Sequence, residues 1–348
     1  MRINFIQNFI DKIRGKDKKK LFSNRVCMLE LLHNSNAISE EQYTYFKDAY
    51  SKSKLLYLLK NDEYKKLLQN IDCTKLKAFG DLRTYQLRIL DLAVKITSEL
   101  KSANLHPMII GGSLIGAKRH KGFIPWDDDM DFDLMRDEYE KLIKLAKEKY
   151  IWLDTSMCFN YNEFKVLVDY AMKIHPGMYV FAQKPSCISV YYGHSIIDCV
   201  SIDFFPREYT NMNQKDYNKF LKKCFCGFAK LKNFKKKFEY FDKQLSNKNV
   251  YTDDGMATVY SVANYGCRTT KNSCYMLKTD IFPLQDITFE NYTFQTLKNI
   301  DKYMELMYSS DYMSLPLDPE FGVFINNMNK FLVKRGYKFN TKPEDFYG

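Results

Sequence analysis

Five aspartates crowd into seven positions. Asp127, Asp128 and Asp129 are consecutive, and Asp131 and Asp133 follow with Met130 and Phe132 between them. Like charges this dense repel, so the native arrangement needs a compensating term. Strand side chains alternate between faces. That predicts Asp129, Asp131 and Asp133 along one face, with Met130, Phe132 and Leu134 on the other. Carboxylates gathered on one half-buried edge suit a hard cation that prefers oxygen, Mg²⁺ above all, with Mn²⁺ as its substitute. A solvated acidic turn is the plainer alternative, and the interleaved apolar residues argue against it.

Upstream, Met108-Ile109-Ile110 is too short for a helix and suits a buried strand. Gly111-Gly112-Ser113 follows at once, and Leu114 to Lys118 is expected to begin a helix. Glycine lets a backbone approach a phosphate closely, and free N–H groups at a helix start favour an anion. A lone glycine pair is usually only a turn. Joined to a carboxylate strand, it outlines a phosphate cradle beside a metal site, the layout of an enzyme working on a nucleotide phosphate.

The whole stretch from Gly111 to Asp131, GGSLIGAKRHKGFIPWDDDMD, resembles the signature block of the LicD/fukutin family of phosphotransferases. A second segment, Cys199-Val200-Ser201-Ile202-Asp203-Phe204-Phe205-Pro206, resembles that family's IDIFP motif. Asp280–Leu284 with Ile287–Asn291, and Tyr308–Met313, resemble its C-terminal motifs, although Asn291 and Ser309-Ser310 replace family glycines. The resemblance covers about Asp81 to Pro316.

It implies an α+β nucleotidyltransferase fold related to DNA polymerase beta: a mixed sheet flanked by helices, with N- and C-terminal helical regions. The expected divisions are a helical extension over 1–80, a catalytic core over 81–210 and a mostly helical region over 211–348. The implied activity is transfer of a phospho-alcohol from a CDP-activated donor to a hydroxyl of a cell-surface or lipid-linked glycan, releasing CMP. Phosphocholine from CDP-choline comes first, and ribitol phosphate or glycerol phosphate are the alternatives. Asp203 matches the family's third carboxylate, which makes Asp129, Asp131 and Asp203 the implied metal triad. Asp133 and Asp127 are the candidates to accept the hydroxyl proton, because metal-bound carboxylates have depressed pKa values. Gly111, Gly112 and Ser113 would hold the donor phosphates, with Arg119, Lys121 and Lys173 as cationic contacts. Arg119 suits charge developing on a pyrophosphate through its bidentate donors. Lys173 lies where the family commonly has a lysine, although a surface lysine explains it equally well. His120 reads as a structural histidine, with an acid or base beside the phosphates as its sharper alternative. Trp126 either anchors a turn or stacks on a base or a choline cation.

The elements that must position these residues follow from periodicity. Leu82, Tyr85, Ile89, Leu92, Ala93, Ile96 and Leu100 form a helical stripe that Asp81 can cap. Asp137-Glu138-Tyr139-Glu140 predicts a capping box at the start of a helix after the acids. Ile151–Leu153 and Ala171–Ile174 are expected strands, and residues 212–246 a long amphipathic helix or helix pair rich in lysine. Val26 to about Gln69 looks helical, with Leu55, Leu56, Leu58 and Leu59 as core contacts.

The chain has 348 residues, 45% apolar and 16% aromatic, enough for one large domain or two ordinary ones. A net charge of +11 favours anionic partners, with nucleic acid as a rival to nucleotides. No helix-turn-helix or RNA motif supports that rival, and no nucleic-acid partner is expected. A non-catalytic scaffold is disfavoured, since keeping five clustered acids without a cation would be costly. Nine cysteines without a Cys-x-x-Cys pair read as free thiols of a reducing cytosol. No run reaches transmembrane length, and the N-terminus is not a secretory signal. Ile3, Ile6, Phe9, Ile10 and Ile13, followed by Arg14, Lys16 and Lys18–Lys20, outline an amphipathic basic helix. A packing helix with a solvated charge run is its plainer reading. Contact with anionic lipid is the sharper one, and would place a cytoplasmic protein at the membrane face.

Overall fold

The sheet that carries the acids is assembled from strands far apart in sequence. A computed structural model describes residues 17–52, 61–196, 198–261, 273–317 and 319. They gather into two compact units. The amphipathic stretch expected before residue 17 and the leucines at 55–59 lie outside the described residues.

The first unit holds the described residues up to Thr84, the segment Phe123–Asp128 and those from Met313 onward. Its helices are α1 (Asp17–Asn34), α2 (Glu40–Lys52) and α3 (Asn61–Gln69). The helical run expected from Val26 is broken between α1 and α2, where Asn36 takes a left-handed conformation at φ 52°. Ser39 and Gln42 then form a reciprocal capping box that starts α2. Buried Arg25 donates to Asn61 Oδ1 at 2.8 Å and lies 5.0 Å from the Tyr64 ring centroid. Within Phe123–Asp128, the Asp127 N–H donates to the Ile124 carbonyl at 3.0 Å, closing a turn whose Phe123, Trp126 and Asp128 are buried.

Helix α4 (Gly80–Ser102) leads into the second unit, and its expected stripe from Ile89 to Leu100 is buried. The order continues β1 (Met108–Ile109), α5 (Gly111–Ile115), a wide helical turn over Gly116–His120, β2 (Asp131–Met135), α6 (Arg136–Lys149) and β3 (Ile151–Leu153). Then come α7 (Tyr161–Ile174), β4 (Val180–Gln183), β5 (Ile188–Tyr192), β6 (Val200–Thr210), α8 (Gln214–Phe228) and α9 (Phe234–Leu245). The last elements are β7 (Ala257–Val259), β8 (Met276–Leu277), α10 (Lys278–Ile281), β9 (Gln285–Phe289), β10 (Tyr292–Thr296) and α11 (Ile300–Met307).

The strands form a mixed sheet in the order β3-β4-β5-β6-β2-β1-β10-β9. Three pairs are parallel: β3 with β4, β6 with β2, and β1 with β10. Strand β6 is eleven residues long because it serves two sets of neighbours. Its first part lies between β5 and β2, and its last three residues pair with β7. The sheet flanked by helices agrees with the architecture expected from sequence. Alternation holds as well. Phe132 and Phe204 are fully buried and stack at 5.4 Å between centroids, with Phe294 5.9 Å from Phe132.

Local departures have local causes. Ala171–Ile174 is the last turn of α7, not a strand, because Phe164, Val168, Ala171 and Met172 repeat at helical spacing and Asn160 caps the start. Helix α6 starts at Arg136 behind Met135, so Asp137 and Glu138 sit in its first turn and form no capping box. There they still favour the positive end of the helix. Helix α5 begins at Gly111, ahead of the expected Leu114. Among the described residues beyond 210, four strands accompany the helices, including the β9–β10 hairpin, whose turn places Glu290 at φ 53°. The eight described cysteines are free, and no helix among the described residues is long and apolar enough to cross a membrane.

Candidate active site

Asp131 and Asp203 are register partners on the parallel strands β2 and β6. Adjacent strands lie about 4.8 Å apart and register partners point to the same face, so the two carboxylates stand side by side. Both are partly exposed, and Asp129 is exposed just ahead of β2. The Met130 carbonyl accepts the Asp203 N–H at 3.1 Å, which fixes this approach to β2 against β6.

Asp203 is held by two groups. Ser189, its register partner on β5, donates its hydroxyl to Oδ1. The Lys184 ammonium meets Oδ2 at 2.8 Å. Lys184 opens the β4–β5 turn, which is closed by its N–H donating to the Cys187 carbonyl at 2.7 Å. Burial works to depress the Lys184 pKa, but the neighbouring Asp203 carboxylate outweighs it and holds the lysine well above its ordinary value. The lysine is therefore a fixed cation against the acidic pair.

Asp133 lies two residues beyond Asp131 and has a different setting. It is fully buried, accepts the Tyr260 hydroxyl at 2.7 Å and pairs with the Arg207 guanidinium at 3.3 Å. Tyr260 in turn shares a hydrogen bond with Tyr303 at 3.2 Å, and the Tyr303 hydroxyl accepts the Gly111 N–H at 3.2 Å. A buried chain of polar groups thus runs from the acid strand to the glycine turn. Gly111 has φ 61°, a left-handed conformation that glycine adopts without a Cβ penalty. The Ser113 hydroxyl accepts the Asp131 N–H at 3.1 Å, joining the cradle to β2 directly. Ile110, at the cap position of α5, offers no side-chain acceptor to the first turn.

The cationic candidates divide. Arg119 is buried, its Nε donating to His120 Nε2 at 2.9 Å and its Nη1 to the Tyr312 carbonyl at 2.7 Å. His120 is fully buried, the setting of a structural histidine. Lys121 is exposed at φ 58°, and its carbonyl accepts the Glu290 N–H at 2.9 Å. Lys173 stands on the outer side of α7 and pairs with Asp169 at 2.8 Å. Trp126 and Asp127 belong to the turn of the first unit.

With this geometry in view, residues 104–299, more than half of the chain, match the family model described as LicD/FKTN/FKRP, nucleotidyltransferase domain. The chain belongs to this family. Its LicD domain match runs from just before β1 to just after β10, so it takes in the acid strands, the cradle and the hairpin. A 62-residue stretch is 44% identical to the lipopolysaccharide cholinephosphotransferase LicD of Haemophilus influenzae. That stretch covers 18% of this chain and only 23% of the relative, so the likeness is local.

Within the LicD domain, sequence reasoning missed Lys184. The contact with Asp203 spans 19 residues and depends on the β4–β5 turn, and a lysine before a proline carries no local sign of it. Arg207, Tyr260 and Tyr303 were missed for the same reason. As for a metal, no group of three or more acidic, histidine or cysteine side chains forms a ready cage among the described residues. The chemistry of the pair still fits a hard cation in that two oxygen-bearing side chains lie side by side, with the Lys184 ammonium as a competitor for one Asp203 oxygen. Mg²⁺ commonly takes one or two carboxylates and completes its shell with substrate phosphates and water.

Proposed function

We propose that this LicD-family protein transfers a phospho-alcohol from a CDP-activated donor to a hydroxyl of a cell-surface or lipid-linked glycan, releasing CMP. Phosphocholine from CDP-choline is the preferred donor group. The observation that carries the reading is the Asp131–Asp203 pair, side by side next to the glycine turn that Ser113 ties to β2. Family membership and the local likeness to a cholinephosphotransferase support the choice of donor class.

Asp129, Asp131 and Asp203 would hold Mg²⁺, or Mn²⁺ in its place, and the bound ion would offset negative charge on the donor phosphates. Gly112 and Ser113 would hold the phosphate chain, with Gly111, whose N–H is donated to Tyr303, setting the turn that presents them. Arg119 and Lys121 add positive potential from the adjoining turn. Lys173 is kept as a donor contact on family resemblance alone, and its pairing with Asp169 lends it no support. The attacking hydroxyl gives its proton to a carboxylate left uncoordinated. Asp133, which is buried and paired with Arg207, and Asp127 are the two candidates for that carboxylate. Trp126 stays a turn anchor or a stacking surface for the donor.

Thermal-shift titration of the full chain with CDP-choline, CDP-ribitol, CDP-glycerol and CTP, each with and without Mg²⁺, tests the donor class. One CDP-alcohol should stabilise more than CTP, and only with the metal. Transfer by Asp131→Asn or Asp203→Asn should fall by about 100-fold or more, as expected when a metal ligand of the reacting phosphate is lost. Wild-type rates in either variant would remove that residue from the mechanism.

A further inference from the structure

Lys184 and Arg207 each set a positive charge against an acid of the cluster, but they are held differently. Arg207 is fully buried, and besides pairing with Asp133 it donates to the Thr258 hydroxyl at 2.7 Å and the Cys274 carbonyl at 2.8 Å. Several contacts lock it in place. Lys184 has one anchor: among the described residues, its ammonium donates only to Asp203. The register explains the contact. Ala182 pairs with Ser189 and Ser189 with Asp203, so Lys184, two residues beyond Ala182, falls on the face of Asp203. The Lys184 side chain is 15% exposed and that of Asp203 25%, so the pair is shielded from solvent without being sealed from it.

The charge of Lys184 is fixed, but its partner can be exchanged. The next groups that act on it after Asp203 are Cys187 and Tyr191, a thiol and a phenol rather than carboxylates, and burial pushes the Tyr191 hydroxyl up. Asp203 is therefore its counter-ion. A carboxylate given over to a divalent cation no longer neutralises the lysine, and the ion and the ammonium then repel each other. An ammonium shielded from water and left without an anion is costly. A phosphate supplies the missing charge, and lysine meets phosphate as a point charge on a flexible stem.

We propose that Lys184 is an exchangeable counter-ion: it holds Asp203 while no nucleotide is bound, and turns to the donor phosphates when Asp203 engages the metal. The inference rests on the reading of this site as one for Mg²⁺ and a nucleotide donor. It adds an order to that site. Metal alone meets competition from the lysine, and the lysine reaches the phosphates only once Asp203 has another cation. Metal and donor therefore favour each other's binding. Such coupling is reciprocal: the factor by which donor tightens metal equals the factor by which metal tightens donor.

The test measures binding, not turnover, on the full chain. Mn²⁺ binding is read from the loss of the free ion's electron paramagnetic resonance signal. Binding of CDP, the part common to all CDP-alcohols, is read by calorimetry with and without Mg²⁺. Relative to wild type, Lys184→Met should bind Mn²⁺ alone about fivefold more tightly and CDP with Mg²⁺ about fivefold more weakly. Its binding of CDP without metal should be unchanged, because in wild type the lysine is then still engaged with Asp203. Asp203→Asn, which releases the ammonium, should bind metal-free CDP more tightly than wild type, and serves if Lys184→Met misfolds. Weaker CDP binding by Lys184→Met with and without Mg²⁺ alike would overturn the proposal, making the lysine a permanent phosphate contact. Unchanged Mn²⁺ affinity would overturn it too, since the lysine would then not compete for Asp203. Wild-type CDP affinity of Lys184→Met in Mg²⁺ would sink the exchange and leave the nucleotide-donor reading standing, whereas absence of CDP binding by wild type in Mg²⁺ would sink both.

Discussion

Asp131 and Asp133 are two residues apart on one strand, yet they answer to different physics. Asp131 is partly exposed beside Asp203, where two negative charges face each other. Asp133 is buried with Arg207, whose guanidinium loses solvation on burial but stays charged through Cys274, Tyr260 and Asp133. Removing one partner of a buried pair leaves the other uncompensated. Asp133→Asn should therefore lower unfolding stability by about 3 kcal/mol. Asp131→Asn should change it by under about 0.5 kcal/mol, or raise it by relieving repulsion. Urea midpoints of the two variants would show whether one strand carries both a structural and a functional acid. Lys184 permits a second comparison. Lys184→Met strips Asp203 of its cation, at a cost of about 1–2 kcal/mol once partial solvent exposure is allowed for. Added Mg²⁺ should then raise Tm more in the variant than in wild type, because no ammonium competes for Asp203. Equal shifts would mean that lysine and metal do not share the carboxylate.

Elements hold the site through contacts that cross long loops. Tyr303 on α11 reaches the Gly111 N–H across 192 residues, and Tyr260 reaches Asp133 across 127. Tyr303→Phe removes one hydroxyl and should cost about 1 kcal/mol. If the tyrosine positions the glycine turn for an anion, KM for the donor should rise severalfold while kcat moves little. A change confined to Tm would make the contact purely structural. At the start of α11, one residue before Tyr303, Asp280 accepts from Lys302 at 2.5 Å, and it accepts from the cap residue Asn299 at 3.1 Å. Burial works to raise the Asp280 pKa, and these donors outweigh it, so its folded value lies below the ordinary carboxylate range. A depressed folded pKa gives stability that is complete above the unfolded value of about 3.9 and lost as pH falls through the folded one. Urea midpoints taken from about pH 5 to pH 2.5 should fall less steeply for Asp280→Asn than for wild type. Most of these elements were legible in the sequence. Alternation placed Phe132 and Phe204 on the buried face, and helical spacing marked α4 and α11. Short segments misled, since Ala171–Ile174 looks like a strand until Phe164 and Val168 are read with it. Alternation also grouped Asp133 with Asp131, because period two gives the face of a strand but not the depth along it. Depth came from Arg207 and Tyr260, which no local pattern ties to β2.

In the second unit, four phenylalanines from distant parts of the chain meet in one cluster. Phe132 on β2 stacks on Phe204 of β6 and touches Phe294 of β10, which meets Phe289 edge-on at 6.1 Å. Strand β10 pairs with β1, and the Thr296 hydroxyl donates to the Ile109 carbonyl at 2.9 Å, directly before the glycine turn. The hairpin therefore touches the acid strand through Phe294 and the strand leading into the glycine turn through Thr296. Phe294 is 5% exposed, and Phe294→Ala should cost about 3–5 kcal/mol, the usual range for a buried phenylalanine. The same cluster predicts coupling. Once Phe294 is gone, the cavity already borders Phe132, so Phe132→Ala should cost less in that background than alone. A double-mutant cycle should show an interaction of about 0.5–3 kcal/mol between the two positions. Additive losses would mean that β10 packs independently of the acid strand, and that the hairpin closes the sheet without supporting its chemistry.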